Sequence, residues 1–208
     1  MRDYFTPGGE DYNASQNFHA FTPGSSHAYA NMNAALIGYL VETISGQPFD
    51  AYCRAELFGP LGMTRSYWRL SQAVAPHVSL YEYEGGDDTL LAPYTFTDYP
   101  NGGLWSTARD LQRLLASPSQ AYRGTDETLL SEATARAMFS AQVPTLDATV
   151  GLHAFLLDAD SGAWGHDGGE SGTSTIIGVN PSTGRGAIVL ANQSDAALET
   201  IFEQVMRE

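Results

Sequence analysis

The stretch from Gly165 to Ala191 most strongly limits what this chain can fold into. Gly165-His166-Asp167-Gly168-Gly169-Glu170-Ser171-Gly172 is polar and Gly-rich, and it leads into the β-branched run Thr173-Ser174-Thr175-Ile176-Ile177-Gly178-Val179. Asn180-Pro181-Ser182-Thr183-Gly184 breaks that run, and Gly186-Ala187-Ile188-Val189-Leu190-Ala191 resumes it. Such a pattern reads as two strands joined by a turn. The glycines around His166 add a chemical possibility. Without a Cβ, backbone N–H groups can approach a ligand closely, so His166 can face a substrate. The bland alternative makes His166 and its glycines an edge-strand bulge and loop.

The rest of the chain supplies helices to cover those strands. Met1 to Pro23 scatters Gly, Pro, Asn and Ser among aromatics without a period, as a surface loop with a few anchoring rings does. Leu36, Ile37, Leu40, Val41 and Ile44 then recur at helical spacing, which predicts a helix over Met32 to Ser45 ended by Gly46. A second helix starts at Pro48, carries Phe49, Tyr52, Cys53 and Leu57 on one face, and is expected to end near Phe58 at Gly59-Pro60. Val78 to Tyr83 suggests a short strand, Gly85-Gly86-Asp87-Asp88 a turn, and the residues to Pro100 a long irregular connection. Thr107 and Asp110 can cap a helix running to about Ala116, and Ser131 one running through Ala141. From Thr149 the character is β, with strands over Val150 to Leu157 and Ala163 to His166 before the two already described. Ala196 to Arg207 closes as an amphipathic helix with Leu198, Ile201, Phe202 and Val205 inward. Helices first and an antiparallel meander afterwards indicate an α+β fold. We expect one domain over 1–208, mainly helical over 1–148, with the sheet strands and C-terminal helix in 149–208.

Charge and residue usage narrow the function. A formal net charge of −14 disfavours nucleic acid and anionic lipid as partners. No apolar run reaches the length needed to span a bilayer. Met1 to Pro7 lacks the basic and apolar regions of a signal peptide, and a chain that opens in loop reads as one missing its beginning. Cys53 is the only cysteine, expected as a small buried residue. All ten basic residues are arginine, so the chain contains no lysine. The five histidines show no paired ligand spacing, so neither a metal site nor any other cofactor is expected.

Tyr29 and Asn31 flank Ala30 just before the first helix, and in an extended approach both side chains can point the same way. A phenol beside an amide can relay a proton and hold a carbonyl. The alternative is a packing aromatic and an N-cap.

Together these pieces resemble the serine β-lactamase and D-Ala-D-Ala carboxypeptidase superfamily, penicillin-binding-protein-like, particularly its class C-like members and related esterases. The resemblance rests on Pro23-Gly24 with Tyr29-Ala30-Asn31, on Glu42-Thr43-Ile44-Ser45-Gly46-Gln47-Pro48-Phe49, and on Phe58-Gly59-Pro60-Leu61-Gly62-Met63. It continues through Gly102-Gly103-Leu104-Trp105-Ser106-Thr107-Ala108-Arg109-Asp110-Leu111, Gly165-His166-Asp167-Gly168-Gly169 and Asn180-Pro181-Ser182-Thr183-Gly184, all in family order. It implies a β-lactamase/transpeptidase-like fold, an antiparallel sheet flanked by helices with a helical subdomain. It also implies acyl transfer to water on a β-lactam, peptide or ester carbonyl, and a small-molecule or peptide substrate. By the same resemblance Tyr29 shuttles the proton and Asn31 holds the substrate amide. His166 stands first in the strand triplet lining the site, the Gly169 N–H is an oxyanion donor, and Gly168 and Glu170 lie against substrate. Family members are usually periplasmic or secreted.

One departure matters. In the family the nucleophile sits in Ser-x-x-Lys, and a chain without lysine cannot contain that motif. The central nucleophile helix and the N-terminal strands are therefore expected to be absent, with the missing N-terminal segment as a partner. Leu36, Leu40, Leu111 and Leu114 are expected to face the absent helix. A substitute nucleophile at Ser171, in Gly169-Glu170-Ser171-Gly172-Thr173, would need the strand-to-helix elbow of α/β-hydrolases. The competing class is a ligand-binding relative that keeps the cleft without turnover.

Overall fold

The computed structural model describes residues 1–74, 76–84 and 87–208. Helix α1 (Arg2–Phe5) is one turn within the aromatic opening loop, pinned where Phe5 stacks on Tyr39 with ring centroids 6.1 Å apart. Helix α2 (Met32–Ser45) ends as expected at Gly46, whose φ of 69° is the left-handed conformation that lets its N–H bond the Glu42 carbonyl. Midway along α2, a Cβ on Gly38 would lie 2.6 Å from the Pro100 ring, so only glycine lets helix and loop meet there.

Helix α3 (Phe49–Cys53) continues through a π-helical stretch, Arg54–Phe58, into α4 (Gly59–Leu61). The chain therefore turns out of helix at Gly62, not at Gly59. Pro60 follows directly on the π-helical stretch, and the helical backbone runs on through Gly59-Pro60 to Gly62, whose φ of 65° ends it. Strands β1 (Leu80–Glu84) and β2 (Asp87–Leu91) form a two-stranded antiparallel sheet. Asp87 and Asp88, expected in a turn, already belong to β2, and Gly85 and Gly86 lie outside the described residues.

Helix α5 (Ala108–Tyr122) starts at its expected cap, the Thr107 hydroxyl accepting the Asp110 N–H at 3.2 Å. It runs past the expected end and through Pro118. The residues around that proline are buried, and Arg123 reaches back to the Ser119 hydroxyl at 2.7 Å, so packing outweighs the lost backbone bond. Helix α6 (Glu132–Met138) is capped by Ser131 and stops short of Ala141. Strands β3 (Phe155–Asp158), β4 (Ala163–Glu170), β5 (Thr173–Val179) and β6 (Gly186–Ala191) form an antiparallel sheet in that order. β3 begins later than expected because Gly151 closes a turn on the Ala154 carbonyl at 2.8 Å. Helix α7 (Glu199–Arg207) completes the chain.

Two cores hold these elements. Ala163, Ile176 and Ala187 of the sheet pack with Leu198, Phe202 and Met206, and a Cβ on Gly178 would meet the Phe202 ring at 2.7 Å. The buried face of α7 thus follows 198, 202 and 206. Ile201 and Val205, expected on the same face, are about half exposed, because the stripe that packs on the sheet repeats at i, i+4 and i+8 and they lie on its flank. Cys53, Phe58, Met63, Trp68 and Tyr99 form the helical core, where burial pushes the Cys53 thiol up to about 11. Leu114 packs into this second core, against expectation, while Leu40 is exposed and Leu36 and Leu111 are half-buried. The result is the expected α+β architecture of antiparallel sheets flanked by helices. No helix among the described residues is long and apolar enough to cross a membrane.

Candidate active site

The site is built on an interrupted strand. β3 pairs with β4 only from Ala163 to Gly165, whereas β5 pairs with β4 all the way to Glu170. Among the described residues, His166 to Glu170 therefore have a strand partner on one side only. Into this open side the residues preceding α2 bring Tyr29. Its ring lies 5.9 Å from that of His166 and 6.0 Å from that of Phe155, and Phe155 meets His166 edge-to-face at 5.3 Å. Residues 137 positions apart are thus neighbours through one shared β3 ring.

The Tyr29 hydroxyl donates to Asn31 Oδ1 at 2.9 Å, and Asn31 makes no side-chain cap to α2. The two side chains do point the same way, and the capping alternative is not realised. Tyr29 is 55% exposed. Partial burial raises its pKa, and the Asp167 carboxylate raises it further, so the phenol stays protonated at neutral pH. His166 Nδ1 contacts the Asp167 carbonyl, with the Asp167 carboxylate 3.8 Å away. Behind it lies His153, ring centroids 5.8 Å apart, held at a left-handed φ of 53°. Although His153 is exposed overall, desolvation of its ring first, and the neighbouring His166 second, lower its pKa.

The glycines differ in what they are needed for. A Cβ on Gly168 would lie 2.9 Å from the Thr175 hydroxyl, whereas one on Gly169 would meet nothing within 4 Å. Glu170 is exposed at the strand end, beside the Ser171-Gly172 turn whose Ser171 carbonyl accepts the Tyr94 hydroxyl at 2.6 Å. That turn joins two antiparallel strands, so Ser171 does not sit on a strand-to-helix elbow. Sequence reasoning missed His153 and Phe155, and also a contact between His27 Nδ1 and Asp147 Oδ2 at 3.0 Å. The left-handed turn that places His153 carries no local signal, since it is fixed by backbone bonds to Ala154 and Met138. No group of three or more His, Cys, Asp or Glu among the described residues can hold a metal ion.

A family model described as Beta-lactamase matches residues 10–203. The chain belongs to the beta-lactamase family. This is a family of serine hydrolases, and the match covers both the Tyr29 segment and the β4–β5 hairpin. Among curated relatives, "Putative D-alanyl-D-alanine carboxypeptidase" of Escherichia coli (strain K12) is 39% identical over 92 residues, 43% of this chain and 21% of that protein. "Protein flp" of Staphylococcus aureus (strain NCTC 8325 / PS 47) is 22% identical over 188 residues, 88% of this chain and 36% of that protein. The fold is shared with the octameric penicillin-binding protein homologue from Pyrococcus abyssi, at a TM-score of 0.69 and 26% identity. That match covers 84% of this chain and 40% of the other. A D-stereospecific amidohydrolase from Streptomyces sp. gives a TM-score of 0.69 at 22% identity, covering 87% of this beta-lactamase-family chain and 55% of its own. The chain spans well under two thirds of each of these proteins.

Proposed function

We propose that this chain carries the proton-shuttling and substrate-lining part of a beta-lactamase-family serine hydrolase acting on a β-lactam, D-Ala peptide or ester carbonyl. The nucleophilic serine and its lysine come from residues outside it, the N-terminal segment of the fold. The observation that carries this reading is the meeting of Tyr29, Asn31 and His166 on the open side of β4 in a chain with no lysine. Tyr29 is the group that moves the proton between serine and leaving group. Burial and the Asp167 carboxylate raise its pKa, and a cation beside it would act in the opposite direction, toward the phenolate. Asn31 holds the substrate amide, and its oxygen is already oriented by the Tyr29 hydroxyl. The two-residue loop Ser171-Gly172 closes on the Glu170–Thr173 pair, so strand alternation turns the Gly169 N–H away from β5, which supports reading it as an oxyanion donor. Gly168 and Glu170 border the substrate.

A second reading, a ligand-binding relative without turnover, is favoured by the same absence of lysine. Reaction with a fluorescent penicillin and an activated ester separates the two. The 208-residue chain alone takes up no label under either reading. A longer polypeptide containing Ser-x-x-Lys with this chain forms one acyl-serine per molecule under the first and none under the second. Stoichiometric acylation of a serine within these 208 residues overturns both.

A further inference from the structure

Tyr29 sits on a poorly anchored segment. Residues 21–27 are exposed throughout, and the Ser25 N–H and hydroxyl bond only the Thr22 carbonyl, within the segment itself. Among the described residues, only one side-chain hydrogen bond or ion pair ties 18–30 to a distant part of the chain. It is His27 Nδ1 to Asp147 Oδ2, at 3.0 Å across 120 positions of sequence.

The far end of that contact is firmly built. Asp147 Oδ1 accepts both the Thr149 N–H at 2.9 Å and the Thr149 hydroxyl at 2.6 Å, and the Asp147 N–H bonds the Val143 carbonyl at 2.9 Å. The Thr149 carbonyl in turn accepts the Leu156 N–H at 2.8 Å, which fixes the turn to β3 beside Phe155. Phe155 is the ring on which Tyr29 and His166 both rest. The Thr149 bonds, with a smaller contribution from His27, hold the Asp147 carboxyl below its usual range, so it is ionised at neutral pH. A loose segment is therefore clamped two residues before Tyr29 onto the turn that feeds the strand under it.

We infer that the His27–Asp147 pair is the tether that places Tyr29 and Asn31 over the open side of β4, both members acting as positioning residues that do not touch substrate. The functional weight of the tether rests on the reading of Tyr29 and Asn31 given above, but its test needs no substrate. Failure of acylation and failure of the tether are thus seen separately.

The test is NMR on the 208-residue chain, reading the Tyr29–His166 ring cross-peaks relative to the Phe155–His166 cross-peaks, which report the sheet itself. His27→Phe keeps a ring at an exposed position and removes the nitrogen, and the relative Tyr29–His166 intensity falls at least fivefold. Asp147→Ala gives the same loss, and the double variant is no worse than either single one, because all three remove one interaction. His27→Asn, whose amide nitrogen occupies the place of Nδ1, restores most of the signal. A merely structural role would lower the melting temperature and leave the intensity ratio unchanged. Unchanged ratios in His27→Phe and Asp147→Ala, or losses that add in the double variant, overturn the tether.

Discussion

The sheet with α7 and the segment around α2 solve the same problem, hiding apolar side chains, with opposite success. In the sheet, Ile176, Phe202 and Met206 are sealed, and the Phe202 ring fits against Gly178 so closely that no other residue is accommodated there. On α2, Ile37 and Leu40 are about half exposed and Ile44 is 84% exposed, although all three lie at helical spacing that reads as a core face. Periodicity reports which residues a helix can bury, and neighbouring structure decides which it does bury. Tyr29 stands where these two regions meet, its ring on the well-packed side and its backbone on the sparse one.

Four substitutions test that contrast. Phe202→Ala empties the centre of the sheet core and is expected to cost about 3–5 kcal/mol, read from denaturant unfolding. A loss below 1 kcal/mol would mean the sheet side is no better packed than α2. Next is Asp110, 2% exposed, whose carboxylate accepts the Arg65 N–H at 2.7 Å, the Ser66 hydroxyl at 3.0 Å and Arg113 Nη1 at 2.8 Å. Asp110→Ala leaves those donors without partners and is expected to cost about 2–3 kcal/mol.

His153 comes third, because its left-handed backbone is strained for any residue but glycine. His153→Gly is expected to gain roughly 0.5–1 kcal/mol in the same measurement, and a loss would show that its ring packing outweighs the strain. A pH dependence accompanies it. Because the folded-state pKa lies below the ordinary value of 6.5, the neutral ring is favoured on folding. Its contribution is present above pH 6.5 and is lost as pH falls through the lower folded value. Thermal melts from pH 7 to 5 should fall more steeply for the parent than for His153→Asn, and parallel curves would remove the effect. The smallest change is at Ile44. Ile44→Ser on the exposed face should shift stability by less than about 0.5 kcal/mol, since almost no buried surface is lost there. A larger loss would place α2 against a partner in solution.

The sequence made some of this readable and hid the rest for physical reasons. β5 and β6 could be bounded to the residue, because β-branched runs end at Asn180-Pro181 and at Asn192, where local chemistry fixes the chain. α5 could not, because Pro118 stops a helix in isolation but not one whose last turn is buried. β2 was invisible, since Asp87 and Asp88 are turn residues by propensity and become strand only by pairing with β1. At the site, the shared direction of Tyr29 and Asn31 followed from their spacing, but their nearness to His166 followed only from the family resemblance. His27 and Asp147 gave no signal at all, because a pair so far apart in one sequence has neither period nor motif.

Cys53 offers an experimental handle. As the sole thiol, shut in among Phe58, Trp68 and Tyr99 with its ionisation pushed to about 11, it should stay silent toward maleimides until the helical core opens. Its labelling rate then clocks how often that half of the molecule breathes, leaving the sheet unreported.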